Sequence, residues 1–154
     1  MRMTPEQAVA ELDRTLPCTI ENAEEVHAVL FAPWVKKQGL EFLDVEEGRV
    51  KARLRQDPEQ QFFSGAVCGQ AMMSAIGTMM SMAMLTYPRK LKGTASQNNQ
   101  FLRPAIGDDL IIEATVLKMG KNSACGETRI ILKGPVIWWF ILHLSMLYKL
   151  CPSP

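Results

Sequence analysis

The sequence predicts an α+β fold in which an antiparallel sheet wraps around one long central apolar helix, as a single domain over residues 1–154. Residues 66–86 contain no charged side chain and six of the ten methionines, and a helix that is apolar on every side is usually buried on several of them. Residues 49–55 and 110–118 instead alternate apolar and polar side chains, as strands with one buried face do. One sheet wrapped around one helix is the economical way to bury both.

The N-terminal segment, residues 1–35, is predicted to form two short helices. Thr4 is a suitable N-cap before Pro5, and the apolar spacing that follows predicts a helix over residues 5–15 that Pro17 ends. A second apolar face predicts a helix over residues 22–31, which Pro33 stops.

Five strands are predicted around the long helix. Residues 40–46 and 49–55 flank Glu47 and Gly48 as a hairpin. After the helix, the sequence indicates strands at residues 93–102, 110–118 and 123–132, separated by turns that contain proline, glycine, aspartate or asparagine.

Composition narrows the possible classes of protein. The net charge of +1 gives no strong attraction to nucleic acid. Residues 1–60 carry a net charge of −4 and residues 61–154 a net charge of +5, so the C-terminal half suits an anionic ligand, although charges scattered by chance explain it equally well. Polar Gln70, Ser74 and Thr78 interrupt the long apolar segment and argue against a membrane span.

Cysteine and histidine spacing indicates neither a disulfide framework nor a metal site. No two of the four cysteines have the spacing Cys-x-x-Cys, and the two histidines, His27 and His143, lie far apart. The first residues carry acids and lack the apolar core of a signal peptide. We therefore expect reduced thiols, no bound metal and a cytoplasmic location.

The order of these segments resembles the hotdog-fold acyl-CoA thioesterase superfamily, in its small, phenylacetic-acid-degradation type. The resemblance covers roughly residues 40–132. It rests on the glycine-containing start of the long helix, on Phe-Leu-Arg-Pro-Ala at 101–105 followed by Gly107 and Asp108, and on Lys-Met-Gly-Lys at 118–121.

The resemblance implies a catalytic site at the start of the long helix. In the family a His-Gly-Gly loop enters this helix, and a carboxylate follows nine residues after the histidine. The corresponding residues here are Cys68, Gly69 and Gln70, with Gly77 at the acid position. The backbone N–H of Gly69 would polarise the thioester carbonyl, whereas Gly77 has no side chain to act as base or nucleophile.

Other groups were weighed as substitutes for the missing acid. Thr78 is adjacent, Ser74 lies one helical turn earlier, and Thr94 matches the position where some relatives keep a hydroxyl that holds the water. Cys68 is a possible nucleophile because a helix N-terminus lowers a thiol pKa, and Gln70 could bind the thioester or cap the helix. For each residue, an ordinary structural role is the simpler interpretation.

The resemblance also implies a ligand, a partner and further contact residues. The expected ligand is an acyl-CoA, with its acyl chain along the methionine-rich helix and no cofactor apart from CoA as part of the substrate. The site lies between subunits, so a homodimer or homotetramer is expected. Contacts with the substrate are assigned to Cys68, Met73, Asn99, Arg103, Lys118 and Lys121, although exposed lysines at turns need no function.

The C-terminal residues 134–154 do not follow the family pattern. Residues 135–148 are dominated by apolar side chains and lack alternation. Read from the third codon base, the codons for residues 138–142 spell Val-Val, then His or Tyr, as expected of the family's last strand. A reading-frame shift near residues 134–137 explains this, and an unshifted genomic reading of the same tail in close relatives would exclude it. The alternative is a genuine divergent strand that pairs at the sheet edge.

Three functions besides hydrolysis fit the sequence less well. A non-catalytic acyl-CoA or lipid-binding hotdog module needs only the fold and the helix start. A hydratase or dehydratase needs a histidine paired with an acid, which neither His27 nor His143 offers. A small membrane-associated protein would have to use residues 135–148.

Overall fold

The structure, a computed structural model, describes residues 4–132 and 146–150. In this part of the chain the helices are α1 (Pro5–Thr15), α2 (Ala23–Leu30), α3 (Pro33–Lys36) and α4 (Gly69–Met84), with one 3-10 turn at Pro58–Gln60. The strands are β1 (Leu40–Glu46), β2 (Arg49–Leu54), β3 (Leu91–Gln97), β4 (Leu110–Met119), β5 (Ser123–Leu132) and β6 (Met146–Leu150).

The six strands form one antiparallel sheet in the order β1-β2-β4-β5-β6-β3. Helix α4 packs across this sheet, with its main contacts to β4, β2 and β5. The predicted α+β architecture, an antiparallel sheet around a long apolar helix, is confirmed.

Helix α4 supplies much of the core. Its fully buried large side chains are Ile76, Met79, Met80, Met82 and Met84. Each stabilises the folded state by about 1.5–3 kcal/mol, because its apolar surface is removed from water. The helix comes close to β5 at Gly126, where an added Cβ would lie 2.6 Å from the Sδ atom of Met80 and 2.6 Å from the backbone oxygen of Thr115, which cannot move aside as a side chain can. A glycine is therefore needed at this contact.

The two faces of the sheet differ as the alternation predicts. In β2 the side chains of Val50, Ala52 and Leu54 are buried, while those between them are half-buried on the outer face. On that outer face Arg49 forms ion pairs with Asp44 at 3.1 Å and with Glu113 at 3.4 Å. Partly exposed pairs of this kind add little stability, but they mark the face that water covers.

Helix α1 begins with a side-chain cap, and the segment after α1 is hydrogen-bonded to Leu85, the residue that follows α4. The Thr4 hydroxyl accepts from the backbone N–H of Gln7, and the Gln7 side chain accepts from the backbone N–H of Thr4, which forms a capping box. The backbone N–H of Cys18 donates to the carbonyl of Leu85 at 2.8 Å. The predicted helix over residues 5–15 is confirmed, and the helix predicted over residues 22–31 occupies Ala23–Leu30.

The structure differs from the predicted elements in several places. Helix α4 begins at Gly69 instead of residue 66, because Ala66 and Val67 form bridges with Ile106 and Gln61. The strand predicted over residues 93–102 is Leu91–Gln97, and the asparagine-containing residues that follow leave the sheet. Pro33 begins a further short helix, since proline suits a first helical turn as well as the end of a preceding helix.

The described part of the C-terminal tail does not lie at a sheet edge. Strand β6 pairs with β5 on one side and with β3 on the other, so the expectation of an edge strand is wrong for these five residues. Residues 133–145, with the Trp-rich stretch, and residues 151–154 lie outside the described residues. The reading-frame hypothesis and the single-domain assignment stay predictions.

Within residues 4–132 and 146–150, no helix has both the length and the hydropathy needed to cross a bilayer.

We predict that buried His27 makes stability depend on pH. Its ring lies 5.1 Å from that of Phe31 and 5.5 Å from that of Phe42, and its Nε2 atom has no hydrogen-bond partner among the described residues. Burial, with a smaller contribution from the charge of Lys36, lowers the pKa of His27. The unfolded chain therefore binds the proton more readily, so the stabilisation is complete above the ordinary pKa of about 6.5 and is lost as pH falls below it.

Denaturant unfolding followed between pH 7.5 and 5 should show this loss in the wild type and a flatter profile in His27→Leu. Equal pH slopes for the two proteins would contradict the assignment.

Candidate functional site

The start of helix α4 is held in place by the loop that precedes it. The backbone N–H of Cys68 donates to the carbonyl of Gln60 at 2.8 Å, and that of Val67 donates to the carbonyl of Ala105 at 2.9 Å. Cys68 is the extended N-cap residue and Gly69 the first helical residue. The first N–H groups of a helix have no partner inside it, so this end presents donors and the positive end of the helix dipole.

Gln38 ties the segment between α3 and β1 to the first turns of α4. Its buried side-chain amide donates to the carbonyl of Ala71 at 3.1 Å, and its side-chain oxygen accepts from the Ser74 hydroxyl at 2.8 Å. Gln60 then donates to the backbone carbonyl of Gln38 at 3.2 Å. This network uses the hydroxyl of Ser74, which the sequence analysis weighed as a substitute for the acid, to position the helix.

An open pocket of about 670 Å³ lies at this end of α4. Exposed apolar side chains form much of its wall, the first helical turn opens into it, and Arg103 contributes a positive charge. Its lining residues are Phe62, Ser64, Ala66, Val67, Gly69, Gln70, Met72, Met73, Phe101, Leu102, Arg103 and Pro104. They combine N–H donors for an oxygen with an apolar surface and one cation. They include no aspartate or glutamate.

Gly77 lies on the same helix, about two turns beyond Gly69 and one turn beyond Met73, the last residue of α4 that lines the pocket. At 1.5 Å per residue, its backbone is about 12 Å along the axis from Gly69. It is half-buried, and its carbonyl accepts a hydrogen bond from the Ser81 hydroxyl at 2.8 Å. This position has backbone atoms only, so it supplies no acid or base.

Thr78 lies on the buried face of α4, with only 3% of its surface exposed. It is not among the residues that line the pocket at Gly69. Its predicted catalytic role gains no support from this geometry.

Thr94 lies elsewhere, on edge strand β3, where it lines a second cavity of about 280 Å³. That cavity adjoins the other end of α4 at Ser81 and Leu85. Ser81 is about 18 Å along the helix axis from Gly69. A single chain therefore keeps Thr94 apart from the helix start.

The other predicted contact residues divide between the two ends of the molecule. Met73 lines the pocket at the helix start, and its carbonyl accepts from the Gln97 side chain at 3.2 Å, which also donates to Asn99 at 3.0 Å. Arg103 lies beside Leu110, with which it lines a small cavity.

Lys118 is eight residues further along β4, about 27 Å from Leu110. Lys121 lies in the turn that follows, so one chain does not bring Arg103 and these lysines together.

Arg89 organises the end of the molecule that carries the lysines. Its guanidinium donates to the carbonyl of Gly120 at 2.8 Å and to that of Lys121 at 2.7 Å. The turn with Lys121 is thereby joined to the segment with Lys90 and Lys92. Neither this arginine nor Gln38 belongs to a recognisable sequence motif, because each acts through hydrogen bonds to carbonyls distant in sequence.

The described cysteines Cys18, Cys68 and Cys125 are free thiols. Burial raises the pKa of Cys18 to about 11, which makes this thiol unreactive. Cys68 is half-buried at the N-cap, and its side chain does not cap the helix. Within the described residues, no three His, Cys, Asp or Glu side chains are grouped so that they could hold a metal.

Comparisons with known proteins agree with this architecture. Residues 65–137 match the sequence model of the thioesterase superfamily. A search of curated proteins finds no match.

Solved structures resemble this one over most of its length. The PaaI protein of the E. coli phenylacetic acid degradation operon has a TM-score of 0.71 at 18% identity, covering 88% of this chain and 99% of its own. Zebrafish thioesterase superfamily member 2 has a TM-score of 0.69 at 20% identity, covering 86% and 98%.

A protein of Streptococcus mutans, smu.793, whose structure contains acetyl CoA, has a TM-score of 0.67 at 10% identity, covering 75% and 90%. At these identities the structural likeness establishes the fold alone. The chain therefore has the hotdog fold of these thioesterase structures, and its residues 65–137 resemble the thioesterase superfamily in sequence.

Proposed function

We propose that this protein binds an acyl thioester of CoA, with the thioester carbonyl at the start of α4. The observation that carries the proposal is the first turn at Gly69, which opens into a pocket of about 670 Å³ with Arg103 in its wall. N–H groups at a helix start bind a partly negative oxygen. The match of residues 65–137 to the thioesterase superfamily model supports the thioester as ligand, and the acetyl CoA in the smu.793 structure supports the CoA portion.

In hydrolysis, water would add to the thioester carbon while the Gly69 N–H stabilises the negative charge on oxygen. The C–S bond would then break, leaving a carboxylic acid and CoA thiol after proton transfer. The attacking water must lose a proton to a base, and neither Gly77 nor the pocket wall supplies a carboxylate. This observation favours a second candidate function, binding of the thioester with little or no turnover.

We predict that Gly69→Pro abolishes tight thioester binding whereas Gly69→Ala preserves it. Proline lacks the N–H but suits the first helical position, and Cys68 already has the extended backbone preferred before proline. An alanine Cβ would meet Phe101 at 3.5 Å, an ordinary contact. Affinity for a CoA thioester, measured by calorimetry, should fall by about tenfold or more only in the proline variant.

Thermal unfolding serves as the control for this pair, since both variants should melt close to the wild type. Equal affinity of the two variants would show that the Gly69 N–H does not contact the ligand.

We expect Gly77→Asp to raise thioester hydrolysis and Gly77→Asn to leave it unchanged. Both side chains have the same shape, but only the aspartate can accept a proton from water. A positioned base contributes about 10²–10⁴-fold to rate. The measurement is release of free CoA thiol from a panel of acyl-CoAs. If the two variants are equally slow while CoA binding is intact, the acid belongs at another position.

We also propose a homodimer in which the β3 strands of two copies pair. The two sheet edges differ: β1 carries Glu41, Asp44 and Glu46, whereas Lys92 is the one charged residue of β3. Charges on an edge discourage pairing, and an uncharged edge invites it. Five of the seven residues of β3 are exposed in the single chain.

Antiparallel pairing of two β3 strands would also join the separated parts of the site. Gln97, near the start of α4, would lie opposite the Leu91 end of its copy. The Thr94 cavity of one copy then adjoins the helix start of the other. In such a dimer, one ligand can contact the α4 start of one copy and the Thr94 cavity of the other, which are far apart within a single chain. A tetramer is a further possibility of the same kind.

Sedimentation equilibrium tests the edge. We expect the wild type to dimerise and Ala95→Lys, in the middle of β3, to be monomeric because it places like charges close together. Leu43→Lys, on the opposite edge, is the matched control and should dimerise as the wild type does. A monomeric wild type, or equal effects of the two lysines, would exclude this interface.

In this proposal CoA is part of the ligand and no separate cofactor takes part. A cytoplasmic location stays a prediction, based on the cysteine spacing.

A further inference from the structure

The cavity of about 280 Å³ lies between the N-terminal helices, the last turns of α4 and strand β3. Most of its wall is aliphatic. Its lining residues are Val9, Leu12, Leu16, Leu30, Phe31, Ser81, Leu85, Lys90, Leu91, Lys92, Gly93 and Thr94. An apolar cavity of about 150 Å³ already accepts benzene, so this cavity has room for a larger apolar group.

The shape of the wall favours a chain over a compact ring. Val9, Leu12 and Leu16 follow one face of α1 over about 10 Å. Leu30 and Phe31, at the end of α2, add apolar surface to this stripe. Val9 and Leu30 are 46% and 37% exposed, so part of this apolar surface is open to solvent when the cavity is empty.

The polar groups of the cavity are gathered near β3. Lys90 forms an ion pair with Asp13 at 2.6 Å, so its charge is already partly balanced. Lys92 and Thr94 are exposed on β3 and contribute an ammonium group and a hydroxyl to the same wall. The cavity thus has an aliphatic end at α1 and α2 and a polar end at β3. This arrangement suits an aliphatic chain with a polar or anionic head.

We propose that this cavity binds the acyl chain of the ligand and selects linear aliphatic chains of medium length. The inference rests on the proposed function, because the polar end of the cavity lies on the strand that would face the α4 start of a second copy. The thioester group would then lie near Thr94, and the chain would extend under α1 and α2. Selectivity for chain length would come from the N-terminal helices and not from the methionines of α4.

The experiment compares acetyl-, hexanoyl-, octanoyl- and dodecanoyl-CoA binding to the wild type by calorimetry. Affinity should rise from acetyl to octanoyl, by about fourfold for each additional CH₂ that the cavity buries. Leu30→Trp fills part of the cavity from a partly exposed position and should weaken octanoyl-CoA at least about tenfold while leaving acetyl-CoA unchanged. Val9→Trp should act in the same way from α1.

Ile20→Trp is the matched control. Ile20 is 44% exposed in the segment between α1 and α2 and does not line the cavity. It should leave the whole series unchanged. If both cavity variants bind every chain length as the wild type does, or if both lose acetyl-CoA equally, the cavity is not the acyl site.

Free octanoate distinguishes this inference from the proposed function. Competition of octanoate with octanoyl-CoA, lost in Leu30→Trp, supports the cavity as the site for the chain itself. Absence of binding for every CoA ester overturns the proposed function. Tight binding of all CoA esters without dependence on chain length overturns only the acyl-chain cavity.

Discussion

Burial of the apolar helix α4 against the sheet is the constraint on which the rest of the structure depends. The helix has almost no polar side to expose, and five of its large side chains are fully buried. The sheet must therefore curve around it, and contact is close enough at Met80 that Gly126 tolerates no side chain. The N-terminal helices complete the enclosure, with a backbone bond from Cys18 to Leu85 at the end of α4.

The same burial decides where chemistry is possible. A helix enclosed along its length contacts ligands mainly at its ends, and here each end adjoins a cavity. The start offers unpaired N–H groups beside exposed aromatic side chains. The other end offers an apolar space beside edge strand β3, which carries a single charged residue. These two regions are about 18 Å apart in one chain. Under the proposed function, a ligand can contact both only when two copies pair through edge strand β3.

Sequence reasoning located the start of the helix but not what holds it there. Gly69 and Gln70 were identified from a motif, and both line the pocket. Gln38 was missed because its bonds to Ala71 and Ser74 connect residues more than 30 positions apart. Thr78 was considered because of its closeness to Gly77 along the chain, yet the rotation of the helix buries its side chain. Adjacent residues of a helix point in directions about 100° apart, so two neighbours in sequence do not necessarily line the same site.

The residues alone predict the class of fold, because the periodicity of apolar side chains and the absence of charge over residues 66–86 indicate which faces must be buried. The sequence also determined that position 77 carries no acid, since that follows from residue identity alone. Two further features are visible only in the folded chain: Thr94 and Gly69 line different cavities, and β6 lies inside the sheet. Both depend on pairing between distant segments, whose register is set by packing and hydrogen bonding in three dimensions. The secondary-structure propensity of a segment does not specify which distant segment it pairs with.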